Sequence, residues 1–95
     1  MKMPCSAPST CLQLDYVRDT LFGPVAKRVE CHVQVAAVNL QGRPGMRLLI
    51  SAPLPEKLDR SHSVAFVWEG HSYHGVVRDH VKCGSGALKL VLELQ

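Results

Sequence analysis

Beyond Pro24 the chain alternates between apolar and polar residues over most of its length. Val29, Cys31, Val33 and Val35 interleave with Arg28, Glu30, His32 and Gln34, the period-two pattern of a strand with one buried face. Met46, Leu48 and Ile50 resume the alternation with Arg47 and Ser51 opposite, and Leu88, Leu90, Leu92 and Leu94 alternate with Lys89, Val91 and Glu93. Val64–Trp68 is apolar at every position, which predicts a strand covered on both faces. A fifth strand is read over Tyr73–Val77. Between these runs lie the turn residues Gln41-Gly42-Arg43-Pro44-Gly45, Glu69-Gly70-His71-Ser72 and Cys83-Gly84-Ser85-Gly86, and a longer loop from Pro53 to Ser63. Five short strands at this spacing predict a mainly β protein, a small closed antiparallel β-barrel. Closure follows from chemistry as well as spacing, since an open sheet this apolar would expose long unpaired edges.

The region before Pro24 reads differently. Leu14, Val17 and Leu21 recur at i, i+3 and i+7, Thr10 and Gln13 fit a capping box, and Gly23-Pro24 fits a helix stop. The spacing therefore predicts one short N-terminal helix over residues 11–22, docked on the barrel because it is too short to persist alone. Residues 1–9, with Pro4, Ser6, Pro8 and Ser9, read as a disordered terminus. Residues 10–95 form the single barrel domain.

Length and composition narrow the class. Ninety-five residues suit one small core, and 46% hydrophobic against 20% charged residues is a globular balance, not a disordered one. No apolar run reaches the roughly 20 residues of a spanning helix. The first residues carry no long apolar stretch, so the expected setting is cytoplasmic, with no membrane span. Eleven Lys and Arg against eight Asp and Glu leave a charge of +3. These cations are scattered, with only Lys27 and Arg28 adjacent, so no DNA or RNA partner is expected. Two or three arginines holding one small phosphorylated ligand remain compatible with that distribution. The four cysteines, Cys5, Cys11, Cys31 and Cys83, are even in number but lack a Cys-x-x-Cys pair and a secretory signal, and are expected to be reduced.

The reactive side chains assemble into no recognisable machinery. His71 and His74, then His80 and Cys83, are spaced three apart, but that spacing alternates faces on a strand, so they read as surface residues without metal. Cys83-Gly84-Ser85-Gly86 lacks the strand–turn–helix setting of a nucleophile elbow. Asp59, Glu69 and Asp79 fall in separate loops or strand ends, and no nucleophile–base–orienter set can be named. The protein is therefore expected not to be an enzyme and to need no cofactor. Phe66 and Trp68 share a strand face and read as core. Gly42 and Gly45, flanked by Arg43 and Arg47, could offer amides and guanidiniums to an anion, against the plainer reading of a hairpin turn with solvated arginines.

One stretch resembles a known family. Val38-Asn39-Leu40-Gln41-Gly42-Arg43-Pro44-Gly45-Met46-Arg47-Leu48 is followed by Pro53-Leu54-Pro55, the Val64–Trp68 strand, Gly75-Val76-Val77 and a final apolar strand. This order, over roughly residues 27–94, resembles the PilZ domain, a small β-barrel associated in bacteria with cyclic di-GMP. Asn39 matches the first position of the family's D/N-x-S-x-x-G motif. Gln41 replaces its serine, and the glycine arrives one residue late as Gly45. The family's R-x-x-x-R is reduced to Lys27-Arg28. The resemblance implies a non-enzymatic regulatory or adaptor domain that binds the messenger weakly or not at all and acts through a protein partner. Its ligand-binding residues would be Lys27, Arg28, Asn39, Arg43 and Gly45. A second stretch, Glu69-Gly70-His71-Ser72-Tyr73 with Val77-Arg78-Asp79, Gly84-Ser85-Gly86 and Leu90–Leu94, is similar to the C-terminal half of phage head–tail joining proteins. That likeness implies the alternative, a structural role in virion assembly.

Overall fold

The structure is a computed structural model and describes residues 10–55 and 57–95. Six strands, β1 (Thr10–Thr20), β2 (Gly23–Leu40), β3 (Arg43–Ile50), β4 (Ser63–Trp68), β5 (His71–Lys82) and β6 (Leu88–Leu94), close into an antiparallel barrel in the order β1-β2-β3-β6-β5-β4. The expected barrel is present, with one strand more than the alternation identified. The expected disordered terminus over residues 1–9 lies outside the described residues.

The sixth strand replaces the helix. Residues 11–22 were expected to be helical, but β1 pairs with β2 from Thr10↔Val33 to Thr20↔Gly23 and with β4 over Leu14–Val17. There is no α-helix among the described residues. The physical reason lies in which residues are buried. Leu14 and Tyr16 are fully buried and Leu12 nearly so, a period of two, whereas Leu21, required by the helical stripe, is fully exposed. Burying a side chain the size of Tyr16, which the helical stripe leaves out, stabilises by about 1.5–3 kcal/mol, more than the roughly 1 kcal/mol typical of a helix cap. Gly23-Pro24 opens β2 instead of ending a helix. Thr20 Oγ1 donates to the Gly23 carbonyl at 2.7 Å and accepts from the Phe22 N–H at 3.1 Å, fixing a two-residue turn at Leu21-Phe22.

Cys31, Val33, Val35, Met46, Leu48, Ile50, Leu88, Leu90 and Leu92 fill the barrel as their alternation requires. β4 departs from expectation. Val64 and Phe66 are buried, but Val67 is 57% exposed, so this strand has one wet face. Phe66 stacks on Tyr73 at 5.4 Å between ring centroids, and Trp68 tilts against the same ring at 6.3 Å. The loop from β3 to β4 carries a 3-10 turn, Leu58–Arg60, whose Leu58 is fully buried in the core. It is tied down by the His62 N–H on the Val17 carbonyl (2.8 Å) and the Val77 N–H on the His62 carbonyl (2.9 Å). Cys11, Cys31 and Cys83 are free thiols. Burial, with a smaller contribution from nearby Cys11, pushes the Cys31 thiol up to about 11, which leaves it a neutral core residue at ordinary pH.

β2 is the long member of the set, with 18 residues. β1 accompanies it from Gly23 to Val33, and β3 from Val33 to Leu40. Because β4 pairs with β1 no further than Val17, the end of the β1–β2 hairpin projects beyond the barrel, which accounts for overall extents of 50 × 32 × 25 Å.

β6 closes the barrel between β3 and β5, and two glycines permit its approach. A Cβ at Gly75 would lie 2.9 Å from both the Glu93 carbonyl oxygen and Leu92 Cβ, and one at Gly45 would lie 2.8 Å from the Leu92 carbonyl oxygen. Backbone oxygens cannot step aside as a flexible side chain can. Gly84, in the β5–β6 turn, has open space around it and no positive φ. Gly75→Ala is expected to lower unfolding free energy by roughly 1–3 kcal/mol through overpacking. Gly84→Ala should leave stability unchanged or raise it by up to about 1 kcal/mol by restricting the unfolded chain. Urea unfolding of the two variants checks both.

Candidate anion-binding hollow at the β2–β3 hairpin

The β2–β3 hairpin turns on two residues, Gln41 (φ 55°) and Gly42 (φ 90°). Both central positions have positive φ, the conformation whose twist matches a tight β-hairpin. Asn39 Oδ1 accepts the Gly42 N–H at 2.7 Å, an Asx contact that holds the turn closed. Beside this turn is an open hollow of about 620 Å³ lined by Asn39, Leu40, Gln41, Arg43, Arg78 and Glu93.

Three charged side chains meet there from three strands. Arg43 opens β3, Glu93 lies near the end of β6, and Arg78 is on β5. Arg78 reaches the hollow because of a bulge. Val77 pairs with Leu92 and Asp79 with Val91, so Arg78 has no partner across the ladder. An extra residue of this kind bends its strand and re-aims its side chain. Arg43 Nη1 donates to Glu93 Oε2 at 2.8 Å, and Arg78 Nε donates to Glu93 Oε1 at 2.6 Å, with Arg78 Nη2 also 2.6 Å from that oxygen. Only 14% of the Glu93 side chain is exposed, against 68% for Arg43 and 53% for Arg78. The carboxylate is thus clamped while the guanidiniums keep open faces. Hydrogen bonds from Arg43 and then Arg78 hold the Glu93 carboxyl below the ordinary glutamate range, and the same contact raises Arg43.

The five residues expected to bind ligand fall into two groups. Asn39 and Arg43 line the hollow. Gly45 adjoins it in sequence but is buried in β3, where it meets the β6 backbone instead of offering an amide to solvent. Lys27 and Arg28 lie twelve and eleven residues before Asn39 on β2, up to about 40 Å away along an extended strand. Arg28 is engaged there by Asp15, with Nε 2.7 Å from Oδ1, a contact that raises its pKa. The structure therefore does not bring Lys27 and Arg28 to the hairpin. Arg47 is exposed farther along β3 and does not line the hollow.

Arg78 and Glu93 are the residues that sequence reasoning missed. Arg78 lies just past the strand read over Tyr73–Val77, and Glu93 takes an outward position of the last strand, where a charge signals only solvent. A bulge leaves no mark in an alternating pattern, and a 15-residue separation hides the pairing. The histidine and cysteine candidates do not converge. Among the described residues no three of His, Cys, Asp or Glu group closely enough to hold a metal ion.

The depressed Glu93 pKa links stability to pH with a definite sign. The contribution is complete above the ordinary glutamate pKa, declines below it, and is lost as pH falls through the lower folded-state value. NMR titration should place Glu93 below a typical glutamate. In Arg43→Ala/Arg78→Ala the carboxyl should titrate in the ordinary range, and the acid-side loss of stability assigned to Glu93 should disappear.

Comparison with protein-family models, with curated proteins and with solved structures gives no match to this chain.

Proposed function

We propose that the chain is a non-enzymatic recognition domain, PilZ-like in kind, that takes an anionic ligand in the hollow at the β2–β3 hairpin and passes the binding event to a protein partner. The observation that carries this reading is the pair of guanidiniums, Arg43 and Arg78, held side by side on one carboxylate with their other donors open. Guanidinium forks suit phosphate oxygens and the O6/N7 edge of guanine alike, which makes cyclic di-GMP the first ligand to test.

Two cations against one anion leave the hollow a single net positive charge. An entering phosphate must share or displace the contacts that Glu93 already makes. This site accordingly binds weakly, which agrees with the reduced motifs around Gln41 and Gly45. Asn39 serves by holding the turn, since its Oδ1 is committed to Gly42.

Calorimetry at low salt tests the reading. The intact chain is expected to give weak heat with cyclic di-GMP, Arg43→Ala/Arg78→Ala to weaken binding at least about tenfold through lost charge-assisted bonds, and Glu93→Gln to strengthen it. No heat at millimolar ligand with either the intact chain or Glu93→Gln removes the nucleotide and leaves only the adaptor role.

A second observation favours the assembly reading. From Gly23 to Cys31, β2 has β1 as its one strand neighbour among the described residues. An open strand edge is a template for adding another strand. Light scattering after size exclusion should then show discrete oligomers at high concentration. A strict monomer removes the self-assembling particle component.

A further inference from the structure

The β1–β2 hairpin ends in the least expected surface of the molecule. Leu21 and Phe22 occupy its two turn positions and are 100% and 99% exposed. Among the described residues they pack on nothing, while the other large apolar residues mostly line the barrel, and solvent is a poor environment for side chains of this size. The turn itself does not require them. It is fixed by the Thr20 hydroxyl and the Gly23 backbone, so polar residues would serve equally well at both positions.

Beside the tip is a hollow of about 520 Å³ lined by Arg18, Asp19, Thr20, Lys57 and Arg60 as well as the two apolar residues. Among the described residues its lining holds three cations and one acid. Asp19 faces His62, with Oδ1 3.5 Å from Nε2, and the neighbouring Asp59 is taken up by Lys82 at 3.3 Å. Arg18 Nε is buried without a hydrogen-bond partner among the described residues. An apolar point with a cationic hollow at its base is complementary to a layer that is anionic outside and apolar beneath.

We infer that the Leu21-Phe22 tip inserts into the interface of an anionic phospholipid bilayer, with lipid phosphate received by Arg18, Lys57 and Arg60. Shape and area favour a bilayer over a protein. A stable protein interface covers about 800 Å² on each partner, whereas two side chains on a convex corner offer a small contact that would need a matching pocket. A fluid interface needs no pocket. Two inserted side chains and a few cations give reversible attachment, since each cation near an anionic surface contributes roughly fivefold in affinity and the contribution falls with salt.

The test uses the full chain with two sets of vesicles, pure phosphatidylcholine and an equal mixture of phosphatidylcholine and phosphatidylglycerol. The chain is expected to co-sediment with the mixed vesicles at low salt and not with pure phosphatidylcholine. Leu21→Ser/Phe22→Ser should weaken this at least about tenfold, and Lys57→Gln/Arg60→Gln by a similar factor. Both variants change exposed residues, and matched circular dichroism spectra establish that the barrel is intact. Phe22→Trp should add blue-shifted emission on mixed vesicles, reporting entry into an apolar layer. The inference is overturned if the intact chain ignores mixed vesicles, or if Leu21→Ser/Phe22→Ser binds them as well as the intact chain. It is also overturned if inorganic phosphate alone saturates the site equally in both forms, which would mark a free-anion site. Loss of a soluble protein partner in the tip variant without any vesicle binding would replace the bilayer with a protein.

Discussion

The narrow seam where β6 closes the barrel sets the geometry of much else in the molecule. On either side of Leu92 and Glu93 a neighbouring strand presents a glycine, Gly45 from β3 and Gly75 from β5, because the β6 backbone leaves no space for a Cβ. With the strands this close, Leu92 is committed to the interior and Glu93 to the outside. Sliding β6 by one residue would exchange the two and place a carboxylate in the core. The same seam thus fixes the register of the final strand and delivers the one acid around which the hollow is organised.

Glu93 has a double character. To the fold it is a tie between β3 and β5, gathering one arginine from each. To an incoming anion it is an occupant already in place. The bulge at Arg78 makes both roles possible, since without the extra residue β5 would continue its regular alternation past β6. The hollow is best regarded as a closed triad that an anion must enter by sharing guanidinium donors, and this distinguishes it from an empty basic pocket.

Much of the barrel could be read from the chain because its core-facing residues repeat every second position. Leu88, Leu90 and Leu92, and Met46, Leu48 and Ile50, are buried as that repeat demands. β1 was misread because Leu14, Val17 and Leu21 satisfy a helical spacing while Leu12, Leu14 and Tyr16 satisfy a strand spacing in the same segment. Local sequence does not decide between them; the availability of β2 and β4 as partners does. Leu58 escaped notice for a related reason, since it and Leu54 are isolated leucines in a loop with no period to reveal them. Of the hollow, Arg43 was legible from a hairpin signature and Asn39 from the family resemblance, whereas Arg78 and Glu93 depend on a bulge and on cross-strand register. Gly45, named for a ligand-binding amide, sits in close packing against the β6 backbone. Lys27 and Arg28 were named as the remnant of the family's upstream R-x-x-x-R, and on so long a strand they lie far from the hairpin.

β2 is shared by two hairpins, with Val33 as the residue where one pairing hands over to the next. An insertion or deletion of a single residue within it would throw one ladder or the other out of phase and turn the inward-facing side chains outward. Changes in chain length among descendants of this sequence should therefore collect in the connections, above all between Ser51 and His62. The span from Gly23 to Leu40 should keep its residue count even where its side chains drift.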